Sequence, residues 1–123
     1  MDKTVTTLYG IRNCDTVKRA RQWLDEHGHA YSFHDFKLQG VPVSALDGWL
    51  SAVGWETLLN RQGTTWRKLD DATKAAVTGS ASARAVMLAA PSVIKRPVVD
   101  WADGATRGTT VGFQPEAWAT RLS

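Results

Sequence analysis

Apolar and polar residues change rhythm repeatedly along this chain. Val5–Tyr9 (Val-Thr-Thr-Leu-Tyr) is short and rich in β-branched and aromatic side chains, which predicts a strand. From Cys14 to His27 the residues Val17, Ala20, Trp23, Leu24 and His27 follow a spacing of three and four, which predicts a helix. Gly28 suits the position just past its end. Ala30–Phe36, with its aromatics, reads as a second strand. A strand–helix–strand order with a helix of this length implies a parallel βαβ unit with a right-handed crossover.

From Val43 to Ala90 the pattern turns helical. Pro42 stands near the start and Ser44 is the candidate N-cap. Ala45, Leu46, Trp49, Leu50 and Val53 form one face, closed by Gly54. Glu56–Asn60 is a short helical turn, and Gly63-Thr64-Thr65 is a loop followed by a core-packing Trp66. Asp70–Val77 and Ala81–Ala90 are further helices, separated by Thr78-Gly79-Ser80. Two strands follow: Val93–Trp101, interrupted by Pro97, and Thr109–Phe113. Asp103-Gly104 supports a hairpin-like connection between them. Pro115 fits the first turn of a last helix, Glu116–Arg121. The order is βαβ, a helical insertion over roughly 43–90, then ββα. This is an α/β fold on the thioredoxin-like (glutaredoxin-type) plan, expected to form a single domain over residues 1–123.

The composition, with 43% apolar and 22% charged residues, is that of an ordinary soluble globular domain. The formal charge of +3 is mild and the acidic residues are interspersed. That suits small anionic substrates and gives no reason to expect direct nucleic-acid binding. No apolar run reaches membrane-spanning length, because Pro91 and Ser92 break the richest stretch, Ala85–Ile94. The N-terminus lacks the apolar region of a signal peptide, and a lone cysteine cannot form an internal disulfide. A cytoplasmic, reducing location is therefore expected.

That cysteine carries the candidate chemistry. Cys14 follows a strand and a Gly-containing turn, Gly10-Ile11-Arg12-Asn13, and a helix starts directly after it. Free N–H groups at a helix start favour thiolate over thiol, and Arg12 adds a cation expected to lower the thiol pKa. A free thiol with pKa ~8.5 is about 3% ionised at pH 7. A pKa of ~6 would make it roughly 90% thiolate, which needs about 3.4 kcal/mol of differential stabilisation. Other patterns carry less. Gly63-Thr64-Thr65-Trp66-Arg67-Lys68 lacks phosphate-loop spacing, and His27, His29 and His34 lack metal-ligand spacing. Trp23, Trp49, Trp55 and Trp118 sit at core or helix-packing positions.

Four segments resemble the arsenate reductase-like (ArsC/Spx) family, closest to its YffB branch. They are Leu8–Thr16 (Leu-Tyr-Gly-Ile-Arg-Asn-Cys-Asp-Thr), Gly54–Asn60, Gly63–Leu69 and Ile94-Lys95-Arg96-Pro97. They lie in the family's order over nearly the whole chain. The resemblance implies that Cys14 is the redox nucleophile and that Arg96 contacts an oxyanion or thiol substrate. It also implies that Arg96–Pro97 is a cis bond. Two positions depart from the arginine set of arsenate reductases: Asn60, with Arg61 next along, and Gly112. The run Cys14-Asp15-Thr16-Val17 lacks the Cys-x-x-Cys of many Spx regulators.

A monothiol forms a mixed disulfide or covalent adduct and needs an external thiol to resolve it. No tightly bound cofactor is expected, and glutathione is the expected co-substrate. Arg12, Arg96 and Arg61 offer charge-assisted partners for its carboxylates. Asn13 and Pro97 complete the candidate binding set. The leading expectation is a glutathione-dependent thiol–disulfide oxidoreductase. The alternatives are a regulator that binds RNA polymerase, as Spx relatives do, and an arsenate reductase coupled to glutaredoxin.

Overall fold

The computed structural model describes residues 5–102 and 108–122. Asp103-Gly104, expected to form the hairpin connection, lie outside the described residues. The elements run β1 (Thr6–Gly10), α1 (Asp15–Glu26), β2 (Tyr31–Asp35), α2 (Phe36–Gln39), α3 (Val43–Val53), α4 (Trp55–Leu58), α5 (Thr64–Lys68), α6 (Asp71–Ala76), α7 (Ser80–Ala89), a 3₁₀ turn (Pro91–Val93), β3 (Val98–Trp101), β4 (Gly108–Val111) and α8 (Pro115–Leu122). They fall into two compact units. One comprises residues 1–39 and 96–123, and the other residues 40–95.

The first unit holds a mixed four-stranded sheet in the order β2-β1-β3-β4. β1 pairs parallel with β2, as the crossover through α1 requires, and β1–β3 and β3–β4 are antiparallel. Leu8 and Val99 of the central strands pack with Val17, Ala20 and Leu24 of α1 and with Trp118 of α8. Each of these side chains is essentially solvent-free. Val17, Ala20 and Leu24 of the predicted face of α1 are therefore core residues, Trp23 is partly buried against them, and His27, expected on the same face, is exposed. The helix ends where expected: Gly28 adopts φ 65°, and its N–H donates to the Asp25 carbonyl.

Gly10 sets how closely α1 approaches β1. A Cβ on Gly10 would lie 2.7 Å from Cγ2 of Val17. Val17 is fully buried and β-branched, so it has little freedom to turn away.

The second unit is helical. Leu46 and Trp49 of α3, Leu58 of α4, Trp66 of α5, and Ala83 and Met87 of α7 are buried. Asp47 and Arg84 join α3 to α7 on the surface through a two-pronged contact, 2.6 Å from Nε to Oδ1 and 3.4 Å from Nη2 to Oδ2.

Several element boundaries shift by one or two residues from expectation, and at four places the difference has a clear physical reason. Helix α3 begins at Val43, so Ser44 lies inside its first turn. Pro42 takes the cap position with φ −66° and ψ 122°, and its carbonyl accepts the Leu46 N–H. Thr64 and Thr65 belong to α5, with Gly63 at its cap and buried Trp66 anchoring it. Phe36 leaves β2 and opens α2, because the Asp35 carboxylate accepts the Lys37 N–H at 2.8 Å in the manner of an N-cap. Residues 93–97 are not strand. Val93 C=O accepts from Asn60 N–H and Lys95 N–H donates to Leu58 C=O, with one antiparallel bridge between Leu59 and Ile94. These bonds hold residues 93–95 within the helical unit, and Pro97 has no N–H to give a ladder.

Gly10→Ala is predicted to destabilise the protein by about 1–3 kcal/mol through overpacking against Val17. Adding Val17→Ala should remove the clash. Chemical denaturation of both single variants and the double variant should then show a cost well below the sum of the singles.

Candidate active site

Cys14 occupies the N-cap position of α1, with φ −97° and ψ 124°. Its carbonyl accepts the Lys18 N–H at 2.9 Å, and its own N–H donates to the Ile11 carbonyl at 3.2 Å. The sequence dictates this locally: β1 ends at Gly10, a tight turn follows, and Asp15 opens the helix. The thiol is half-buried, with its inner side against the core beneath α1.

Opposing forces act on the sulfur. Burial disfavours the thiolate and is the largest single influence. Against it stand the Val17 N–H, the hydrogen bond and positive charge of Arg96, and the Thr16 N–H. Together these outweigh burial and hold the thiol below its ordinary value. No close side-chain cap bond of the hydroxyl kind forms. A sulfur anion is larger and more diffuse than a hydroxyl oxygen, so it draws on amides at longer range.

Arg96 reaches Cys14 because of strand register. Tyr9 pairs with Val98 in the antiparallel β1–β3 ladder. Continuing that register sets Gly10 beside Pro97, so the segment entering β3 runs alongside the turn leaving β1. The Arg96–Pro97 bond is cis, as the resemblance implied. The Pro97 carbonyl accepts the Gly112 N–H at 2.8 Å, which fixes this corner to the end of β4.

The remaining expected residues divide. Arg12 and Asn13 lie exposed on the turn before Cys14. Arg12 was expected to lower the Cys14 pKa, and this is corrected: the cation acting on the sulfur is Arg96. The physical reason is the turn, which leaves Arg12 exposed to solvent while Arg96 arrives on the segment that enters β3. Arg61 belongs to the helical unit, where its guanidinium carbon lies 5.3 Å from the centroid of the Trp55 ring. Asn60, where arsenate reductases carry an arginine, takes part in a turn by accepting the Gln62 N–H at 3.1 Å.

Sequence reasoning missed one residue that shapes the site. Asp35 ends β2 and is nearly fully buried. One carboxylate oxygen accepts the Arg12 N–H at 3.3 Å and the other accepts the Lys37 N–H at 2.8 Å. It thus ties the turn before Cys14 to the end of the edge strand. Its signal was a carboxylate inside an otherwise aromatic run, but its partner lies 23 positions away.

Comparison with known proteins decides the family. The ArsC family model matches residues 9–120. The chain belongs to the ArsC family. A YffB protein of known structure is 50% identical, covers 97% of this chain and all of its own, and superposes with a TM-score of 0.87. An arsenate reductase (ArsC) related protein from Brucella melitensis is 46% identical, covers 100% of this chain and 98% of its own, with a TM-score of 0.72. An uncharacterized protein of Haemophilus influenzae is 39% identical over 93 residues, which are 76% of this chain and 81% of the relative. An arsenate reductase from Vibrio cholerae, at 18% identity and a TM-score of 0.74, shares the fold. This ArsC-family chain therefore has the thioredoxin-like α/β fold, sides with the YffB branch, and falls among thiol-dependent, arsenate reductase-like proteins.

Two outcomes are predicted here. Arg96→Gln should raise the pH midpoint of Cys14 alkylation by iodoacetamide, and by more than Arg12→Gln does. Because the folded thiol is lowered, ionisation of Cys14 adds stability as pH climbs from its folded midpoint to ~8.5, the value of an unfolded thiol. Denaturation should therefore show wild type gaining on Cys14→Ser through that window and losing the gain as pH falls below it.

Proposed function

We propose that this protein is a glutathione-dependent thiol–disulfide oxidoreductase with Cys14 as its nucleophile. The observation that carries the reading is a half-buried cysteine held below its ordinary pKa by the first turn of α1 and by Arg96. A thiolate that is both populated and accessible is the requirement for disulfide exchange.

The Cys14 thiolate attacks the glutathionyl sulfur of a mixed disulfide between a substrate thiol and glutathione. A new bond forms between the two sulfurs, the old disulfide bond breaks, and the substrate thiolate leaves with the electron pair. The chain has no other cysteine, so it cannot resolve the Cys14 adduct itself. A second glutathione thiolate attacks the glutathionyl sulfur, releases Cys14 as thiolate and departs as glutathione disulfide. Two electrons pass from glutathione to the substrate, and Cys14 ends as it began.

Arg96 has two roles in this scheme. Its charge favours the attacking thiolate and also the thiolate released in the second step, and its fork can hold a substrate carboxylate. Arsenate as substrate is disfavoured at Gly112. That residue has φ 87°, a conformation an arginine adopts only with strain, so the backbone suits glycine where arsenate reductases carry an arginine.

Incubation with glutathione disulfide should give one glutathione adduct per chain by mass spectrometry, absent in Cys14→Ser. Turnover of a glutathionylated disulfide by glutathione should fall by at least about tenfold in Arg96→Gln, the cost of losing a charge-assisted contact. An unmodified Cys14 under oxidised glutathione would refute the reading.

A further inference from the structure

Beside the Cys14 turn lies a cavity of about 180 Å³, lined by Ile11, Arg12, Asn13, Asp35, Lys37 and Leu38. Two cations, Arg12 and Lys37, border it from different elements, one on the turn after β1 and one on α2. Both are exposed, and among the described residues neither side chain has a carboxylate partner. The only carboxylate in the lining, Asp35, is buried and directed at the two backbone N–H groups of Arg12 and Lys37. Those amides offset its charge and lock the two cation-bearing segments at a fixed separation. Leu38, 71% exposed, adds an apolar wall at the rim.

We infer that this cavity is a carboxylate-binding subsite that selects anionic disulfides for Cys14, with Lys37 as its specificity-determining residue. The inference rests on the thiol–disulfide reading above and extends it by naming the substrate class. The group bound is a carboxylate carried a few bonds beyond the reacting sulfur. Lys37 and Arg12 contact it, and Leu38 covers the carbon chain between carboxylate and sulfur. Lys37 does not touch the reacting sulfurs. Its effect is on which disulfide is presented, and the chemistry stays with Cys14. In the exchange step the Cys14 thiolate bonds to one disulfide sulfur while the other leaves as thiolate, so no further oxidant or reductant is involved.

The test compares two activated disulfides on the full-length chain: dianionic 5,5′-dithiobis(2-nitrobenzoate) and neutral 2,2′-dithiodipyridine. Both report exchange by the colour of the released thiol. The ratio of their rates cancels changes in thiolate population, because both consume the same Cys14 thiolate. Wild type should show a ratio well above that of N-acetylcysteine in the same buffer. Lys37→Glu should lower it by about tenfold at low salt, with Lys37→Gln between, and added salt should narrow the differences. A reactive Cys14 whose ratio ignores Lys37 would overturn this inference alone. A Cys14 inert to both disulfides would overturn the underlying reading and this inference with it.

Discussion

The site depends on a contest at a single sulfur. Burial resists placing a charge on Cys14, while two helix-start amides and one guanidinium favour it, and the balance lies with the charge. Without these partners burial alone would act on the sulfur and would favour the neutral thiol. The reactive state is thus a property of the arrangement and not of the cysteine. The fold's contribution is to bring a helix start and a distant arginine to one place and to leave the sulfur half open.

Three features secure that arrangement, and none belongs to the cysteine's own helix alone. Gly10 lets α1 lie close enough to β1 for the helix start to sit at the strand end. The β1–β3 register delivers Arg96 from the far end of the chain. Asp35 ties the intervening turn to β2 by accepting main-chain N–H groups on both sides. Removing its carboxylate would leave two part-buried amides without this acceptor, at a cost of at most about 1–3 kcal/mol each, since water can reach them in part. The same tie joins the segments that carry Arg12 and Lys37 at the lining of a small cavity, so one buried aspartate serves both the nucleophile's turn and the neighbouring pair of cations.

What could be read from the sequence followed the range of the interactions. The strand, turn and helix around Cys14 are set by residues within a few positions of one another, and periodicity together with Gly28 placed them well. Arg96–Pro97 could be placed only through family resemblance, since nothing in the local pattern says which strand lies beside β1. The misassignment of Arg12 has the same origin: nearness in sequence suggested the cation acting on Cys14, and the register supplied a different one. Asp35 and Gly10 shape the site through Arg12 and Val17 on other elements, contacts that the local pattern did not mark. The segment 93–97 looked like a strand because it opens on β-branched Val93 and Ile94 and runs into Val98 and Val99, yet the backbone bonds of Val93 and Lys95 go to Asn60 and Leu58 instead of a sheet neighbour.

The most direct measurement is the ultraviolet absorbance of the Cys14 thiolate as a function of pH, taken as wild type minus Cys14→Ser to remove tyrosine. The account predicts a single ionisation with its midpoint clearly below the ~8.5 of a free thiol, moving back toward it when Arg96 is replaced by glutamine. A wild-type midpoint at or above that of a free thiol would contradict it, because burial would then have prevailed over the helix start and Arg96.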